Sequence, residues 1–312
     1  MIPPLPGPVF TPEQLAHQAR EPKLRETLEL ARELEMRRCR IDHLWFLKRY
    51  WTIQLHKTAS EAVWENMYPC QEEILRDWAT EPAVVTLKAR QIGYSTAAAG
   101  FNAWDVAFHP NTPILFLSRR EDDAVELLDK AKFGFDRLPL WMANLLPKKN
   151  SKNKQELLLD NNSAIVSLPS KSNAARSRSA RRLVADEFAF FEDPDEALAS
   201  MRPVTEGGGS YVILSTANGV GNAFERLCMT AYEGNPVNYK FTFQPWSAVP
   251  DRDEAWYKSL ESSGILPWVI AQEYPTNVEE AFLRSGNAYF DREILYRLFQ
   301  VEDPERGVLV GV

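Results

Sequence analysis

Short apolar runs alternate with longer amphipathic stretches along most of the chain. Val84–Leu87, Ile114–Ser118, Ala164–Leu168, Leu183–Ala185 and Tyr211–Ser215 are each apolar or β-branched. Gly, Pro, Asn, Ser or charged residues bound them, and helical patterns lie between several of them. Runs without polar alternation are strands buried on both faces. The pattern therefore predicts an α/β fold, a mainly parallel sheet flanked by helices. Asn235–Phe243 is a candidate edge strand. Ahead of the first strand, Leu15, Leu24, Leu28, Leu30, Leu34 and Met36 are spaced for one amphipathic helix over 11–40. The aromatic-rich stretch from Asp42 to Leu55 predicts a second helix packed on the core. Residues 1–10 carry four prolines and read as a loose arm. After Pro245 the pattern turns helical again. Helices are expected over 253–262 and 267–281, anchored by Trp256, Tyr257, Leu260, Trp268, Val269 and Tyr274. The closing run Gly307–Val312 reads as the first strand of a following domain, or as a terminal edge strand.

Composition narrows the class. The 312 residues are 45% hydrophobic and 25% charged, with a formal net charge of −7. This is globular composition and excludes a mostly disordered chain or a uniformly basic nucleic-acid binder. Local basic tracks remain: Lys148, Lys149, Lys152 and Lys154 in one stretch, and Lys171, Arg176, Arg178, Arg181 and Arg182 in another. No run is long and apolar enough to predict a membrane span, and the N-terminus lacks the pattern of a secretory signal. Three scattered cysteines argue against a disulfide framework and fit a reducing compartment. Four histidines at no ligand spacing argue against a zinc site.

The most informative segment is Val84–Thr96, a strand that runs into a loop and then a helix. Such a junction can cradle phosphate oxygens on backbone N–H groups and the helix N-terminus. Set on the pattern G-x-x-x-x-G-K-[ST], Gly93 fills the second glycine and Ser95 the hydroxyl that ligates Mg²⁺. Lys88 stands at the first glycine and Tyr94 at the lysine, so the cation must come from Lys88 or Arg90 at the front of the loop. About ninety residues on, the strand ending in Asp186-Glu187 puts two adjacent carboxylates at a sheet edge. Asp186 is the candidate for the Mg²⁺ shell, and Glu187 for the base that activates water. The strand ending in Ser215-Thr216-Ala217-Asn218-Gly219 offers hydroxyls and an amide that can sense a γ-phosphate.

With these motifs in this order, residues 42–290 resemble the ATPase motor domain of the large terminase subunit of tailed bacteriophages, which drives viral DNA into a preformed capsid. The resemblance implies a P-loop NTPase of the RecA-like, ASCE type. Its phosphate loop would be Lys88–Thr96, with Lys88, Arg90, Gln91, Gly93, Tyr94, Ser95 and Thr96 around ATP. Asp186 and Ser95 would hold Mg²⁺, and Glu187 would be catalytic. Ser215, Thr216 and Asn218 match the family's coupling motif. Tyr68-Pro-Cys-Gln71 is similar to its adenine-reading motif, with Gln71 as reader. Asn173–Arg178 lies where the family carries an arginine acting on a neighbouring subunit's γ-phosphate. Spacing to Asp186 favours Arg176, with Arg178 close by.

The resemblance also implies a division of the chain: an N-terminal arm and helices (1–60), an ATPase core (61–244) and a small helical lid subdomain (245–290). The stretch 291–312 would be a linker and the start of a nuclease domain, whose activity is not expected here. The implied partners are double-stranded DNA, the portal and procapsid, the small terminase subunit and further copies in a ring, in the host-cell cytoplasm. Two other readings stand beside this one. One is a helicase-like translocase, for which too few residues follow Gly219 to form a second RecA-like domain. The other is a portal-docking scaffold subunit without turnover, which Tyr94 favours and the Asp186-Glu187 pair opposes.

Overall fold

The computed structural model describes residues 22–55, 60–151, 153–170 and 179–283. The proline-rich arm, Leu15, Lys152, Lys171, Arg176, Arg178 and the stretch 291–312 lie outside these residues.

Helix α1 (Pro22–Ile41) leads into α2 (His43–Tyr50), whose N-terminus is capped by the Asp42 carboxylate accepting from Trp45 N at 2.8 Å. The helix expected to reach Leu55 stops at Tyr50. Thr52–Gln54 (β1) instead pairs antiparallel with Glu61–Val63 (β2). The core elements follow as α3 (Pro69–Thr80), β3 (Ala83–Lys88), α4 (Tyr94–Phe108), β4 (Pro113–Ser118), α5 (Glu121–Phe135), α6 (Leu140–Ala143), β5 (Glu156–Leu158), β6 (Ala164–Pro169) and β7 (Arg182–Asp186). Then come α7 (Pro194–Glu206), β8 (Ser210–Ser215), α8 (Ala223–Tyr232), β9 (Lys240–Gln244), α9 (Glu254–Glu261), α10 (Pro267–Glu273) and α11 (Val278–Leu283). The helix expected over 267–281 is two helices. Pro275 has no N–H to continue the first, which ends at Glu273.

The seven-stranded sheet runs β5-β6-β4-β7-β8-β3-β9, parallel except for β5. Both faces are covered, and the strands alternate between them. Val84, Ile114, Phe116, Val184, Val212 and Leu214 point into one core, which α2, α3, α4 and α5 close. Val85, Leu87, Leu115, Leu117, Leu183, Ala185 and Ile213 point into the other, closed by α7, α8 and α11. That is why these strands read as continuous apolar runs. Parallel strands deliver their C-terminal residues to one edge, so Lys88, Asp186, Ser215 and Gln244 share it.

Trp51 joins the N-terminal helices to this frame. Its indole is 1% exposed and wedges between α4 and α5. The room comes from two glycines. A Cβ at Gly134 would lie 2.3 Å from the ring, and one at Gly100 would lie 3.0 Å from the indole nitrogen. Among the described residues no helix is long and apolar enough to cross a membrane. Cys39, Cys70 and Cys228 are free and buried.

Candidate active site

The loop from Lys88 to α4 is fixed from outside. Ala89 N donates to Gln244 O at 2.8 Å, and Arg90 N donates to Glu273 O at 2.7 Å. Arg252 donates to the carbonyls of Arg90 (3.0 Å) and Gln91 (3.5 Å), and Gln71 Nε2 donates to Ile92 O at 2.8 Å. Three successive carbonyls therefore face outward with partners. The backbone N–H groups of Gln91, Ile92 and Gly93 have no hydrogen-bond acceptor among the described residues. They run directly into the open N–H groups of the first turn of α4. Consecutive free N–H groups at a helix N-terminus form an anion-binding concavity. Left-handed backbone at Gln91 (φ +58°) and Gly93 (φ +81°) makes the turn. Glycine suits 93 on two counts: φ is +81°, and a Cβ there would stand 2.4 Å from Gln71 Nε2 and push that amide off its bond to Ile92.

Two carboxylates face this loop. Asp186 ends β7, and its Oδ2 accepts from Ser95 Oγ at 2.7 Å. Glu187 follows in left-handed backbone (φ 54°, ψ 43°), a conformation costing a non-glycine residue about 1–2 kcal/mol. This twist turns Glu187 out of the strand, and its Oε1 lies 3.0 Å from Lys88 Nζ. The Lys88 side chain is 6% exposed and that of Glu187 40%. Burial opposes the Lys88 charge, but the Glu187 and Asp186 carboxylates outweigh it and hold the ammonium above its ordinary range. For Asp186, burial and the Glu187 charge push the carboxyl up against the pull of Lys88 and Ser95. A buried carboxyl held high in this way is one whose ionised form would be favoured by an added cation.

The fit to Mg²⁺ rests on this donor chemistry. Among the described residues no cluster of three or more His, Cys, Asp or Glu side chains forms a self-contained metal site. Ser95 and Asp186 offer a hydroxyl and a carboxylate at hydrogen-bond distance, hard oxygen donors and few of them. That suits Mg²⁺, which takes one or two protein ligands and completes its shell with water and phosphate.

The coupling residues meet the backbone beyond Glu187. Ser215 Oγ accepts from Ala189 N at 3.1 Å, and Asn218 Nδ2 donates to Ala189 O at 3.0 Å. Both therefore grip one residue, two past Glu187, through its N–H and its carbonyl, where the sequence had suggested hydrogen bonds to phosphate. Thr216 is 2% exposed. Asn222 links this turn onward, donating to Asn218 O and capping α8 through Glu225 N.

Other expected residues are placed differently. The Tyr94 ring is 1% exposed, and its hydroxyl donates to Cys70 O at 2.9 Å. What Tyr94 presents to the loop is its backbone N–H. Gln71 is 4% exposed and bonded to protein at both ends of its amide. Arg90 is exposed and pairs with Glu273 at 3.2 Å, while Thr96 is half-buried in the first turn of α4. Of the two basic tracks, Arg182 is no surface cation: its side chain is 8% exposed and bonds Asp105 at 2.7 Å. Lys149 pairs with Asp136, and Lys148 Nζ donates to Ala143 O.

Sequence reasoning missed Arg252 and the loop-holding role of Glu273. A lone arginine between aspartates carries no local signal. It also missed Asp105, although a single carboxylate inside the apolar pattern of α4 was a readable sign of a buried partner.

No family model matches the chain. It is 24% identical over 260 residues to a protein of Escherichia phage Mu described as a probable terminase large subunit, gp28. The match covers 70% of this chain and 45% of that one. The chain thus spans just under half the length of this curated relative. Among solved structures it is similar to the large terminase ATPase domain of Thermus phage P74-26, at TM-score 0.55 and 18% identity, over 65% of this chain and 90% of that one. It is also similar to the large terminase of bacteriophage HK97, at TM-score 0.55 and 14% identity, over 78% and 50%. In sequence the chain is thus similar to a probable large terminase subunit, and the fold it carries is that of the large terminase ATPase domains.

Proposed function

We propose that the chain is the ATP-hydrolysing portion of a viral DNA-packaging motor. The observation that carries this is the row of free N–H groups at Gln91–Gly93, flanked by the Lys88–Glu187 and Ser95–Asp186 pairs. The loop N–H groups, Lys88, the Ser95–Asp186 pair and Glu187 lie at one sheet edge, where they would serve as the cradle, cation, metal-holding pair and base that phosphoryl transfer needs. The loop N–H groups and Lys88 would bind the triphosphate, with Lys88 exchanging Glu187 for a phosphate oxygen. Glu187, freed from Lys88, would take a proton from the water that attacks the γ-phosphorus as the bond to the β-phosphate oxygen breaks. Bound Mg²⁺, held by Ser95 and Asp186, would supply charge neutralisation at the phosphate oxygens. Ser215 and Asn218, through Ala189, would keep the Glu187 turn in place.

On this reading the wider assembly is the one the resemblance implies. DNA would be engaged through its phosphates, the motor would sit on a procapsid portal with a small terminase subunit, and the setting would be the host-cell cytoplasm. Arg176, or the neighbouring Arg178, would act on a neighbouring copy in a ring. The helices after Pro245 would serve as a lid, coupled to the loop through Arg252 and Glu273.

The test is steady-state ATP hydrolysis with and without double-stranded DNA, beside nucleotide binding. Glu187→Gln should bind ATP yet lose about 10²–10⁴ in kcat. Lys88→Ala should lose binding. Hydrolysis at the parental rate in Glu187→Gln would remove the base assignment. Turnover rising more than linearly with protein concentration, and abolished in Arg176→Ala, would support an arginine supplied between copies.

A further inference from the structure

Gln71 is the residue that resemblance would assign to reading adenine, and its surroundings point elsewhere. It is the third residue of α3. Its Oε1 accepts from Tyr68 N at 2.9 Å, closing the reciprocal cap at the start of that helix. Its Nε2 donates to Ile92 O at 2.8 Å. The Tyr68 N–H can only donate and the Ile92 carbonyl can only accept, so these partners fix which end of the amide is which. A two-point contact with a base edge needs an N–H and an oxygen lone pair side by side and open. Here each end of the amide already holds a backbone partner, the second N–H and second lone pair lie on a residue only 4% exposed, and Gly93 packs against the nitrogen so closely that a Cβ would stand 2.4 Å away.

We propose that Gln71 is a positioning residue for the phosphate loop and not a reader of the nucleotide base. The proposal rests on the nucleotide-binding reading above. The Ile92–Gly93 peptide is planar and trans, so its C=O and N–H point to opposite sides. Anchoring the Ile92 carbonyl on α3 directs the Gly93 N–H away from α3, and that N–H is one of the three without an acceptor. The carbonyls of Arg90 and Gln91 are held by Arg252. Among the described residues only Gln71 holds the carbonyl of Ile92. Without it, no hydrogen bond among the described residues holds this carbonyl, so the peptide can turn over in a loop already in left-handed backbone, and a turned peptide offers phosphate an oxygen where it needs a hydrogen. Gln71 thus acts on the phosphates, the part common to every nucleoside triphosphate.

The test is equilibrium binding of ATP, GTP and inorganic tripolyphosphate, each with Mg²⁺, to the parent chain, Gln71→Ala and Gln71→Glu. The glutamate variant keeps an acceptor for Tyr68 N, so the helix cap survives while the donor to Ile92 is lost. Circular dichroism checks that each variant is folded. The expected result is a loss of about tenfold, equal within about twofold for all three ligands, as befits a buried carbonyl left without its partner. A loss confined to ATP, with GTP and tripolyphosphate unchanged, would show that Gln71 reads the base and overturn the proposal. Unchanged binding of all three would overturn it as well. If the parent chain bound none of the three, the nucleotide-binding reading itself would fail, a result distinct from either.

Discussion

Arg182 offers a sharp test of how the structure revises the sequence. In the sequence it belongs to a local basic track ahead of the acidic strand, where a surface cation able to meet DNA phosphates is expected. In the fold it is a core residue. Nη1 lies 2.7 Å from Asp105 Oδ2 and 3.3 Å from Asn102 Oδ1, Nε donates to Ser210 Oγ at 3.1 Å, and the guanidinium sits 4.6 Å from the centre of the Phe101 ring. The Asp105 side chain is 2% exposed. Burial alone would raise its carboxyl, but the His109 hydrogen bond and the charges of Arg182 and Arg181 hold it below its ordinary value. Arg182→Met leaves that carboxylate buried with His109 at 2.9 Å and Arg181 at 3.8 Å. Removing one partner of a buried pair costs about 3–5 kcal/mol, and the two remaining partners put this site near the lower end. Against a total stability of about 5–15 kcal/mol this is a large fraction. Asp105→Leu in the same chain removes the stranded charge, and the double variant should recover to within about 1–2 kcal/mol of the parent. Urea unfolding with an unchanged slope reads these differences directly. The reasoning fails if Arg182→Met lies within about 0.5 kcal/mol of the parent while the salt dependence of DNA binding drops by about one charge, the signature of a surface phosphate contact.

Three further outcomes follow from the geometry. Gly134→Ala gains about 1 kcal/mol of helix propensity but drives a methyl into the Trp51 ring at 2.3 Å, and overpacking of about 1–3 kcal/mol should win, lowering the melting temperature. Asn218→Ala frees the Ala189 carbonyl and Ser215→Ala its N–H, and each should lower kcat by at least about tenfold with nucleotide affinity unchanged. A change in affinity at constant kcat would instead put these side chains on the nucleotide. Burial lowers the pKa of His43 from 6.5 to about 4, so the stability from keeping it neutral is fully present above pH 6.5 and lost as pH falls towards 4. That loss amounts to about 3 kcal/mol, and a urea midpoint followed against pH should flatten over this window in His43→Leu.

The fold was legible where burial writes itself into sequence. The parallel strands carry apolar side chains on both faces, and that pattern has no helical reading at their length. β5 and the β1–β2 hairpin were not legible. Each strand has three residues, two of them with a glutamate, and pairing with a neighbour makes them strands. The break between α10 and α11 was written in Pro275, but the apolar spacing that continues across it masked the stop. Within the candidate site, the order of the motifs pointed to the loop and the acidic pair, which the fold brings together at one sheet edge. The direction of side chains was not available. Tyr94, Gln71 and Arg182 all turn into the core, and their partners Cys70, Ile92 and Asp105 are 21 to 77 residues away in sequence. Arg252 and Glu273 reach the loop across more than 160 residues, where local pattern carries no information.

The Arg182–Asp105 pair also bears on the site it does not touch. α4 and β7 are fastened to each other at two places. At the sheet edge Ser95 meets Asp186, and at the far end Asp105 meets Arg182, each at 2.7 Å. From Ser95 to Asp105 is ten residues of helix, about 15 Å. From Arg182 to Asp186 is four residues of strand, about 13 Å. The two spans match, so both fastenings form together with the elements lying alongside. Arg182 and Asp186 are an even number of residues apart and therefore share a strand face with Val184, which packs in the same core as α4. A slip of β7 by one residue would turn all three to the opposite face, strand the Asp105 charge and carry Asp186 away from Ser95. An apolar side chain at 182 would tolerate such a slip far better than an arginine whose buried counter-charge lies on α4. The buried pair thus fixes the register that sets the spacing of the proposed metal-holding oxygens, and it does so from the end of the strand where the ligand chemistry imposes nothing.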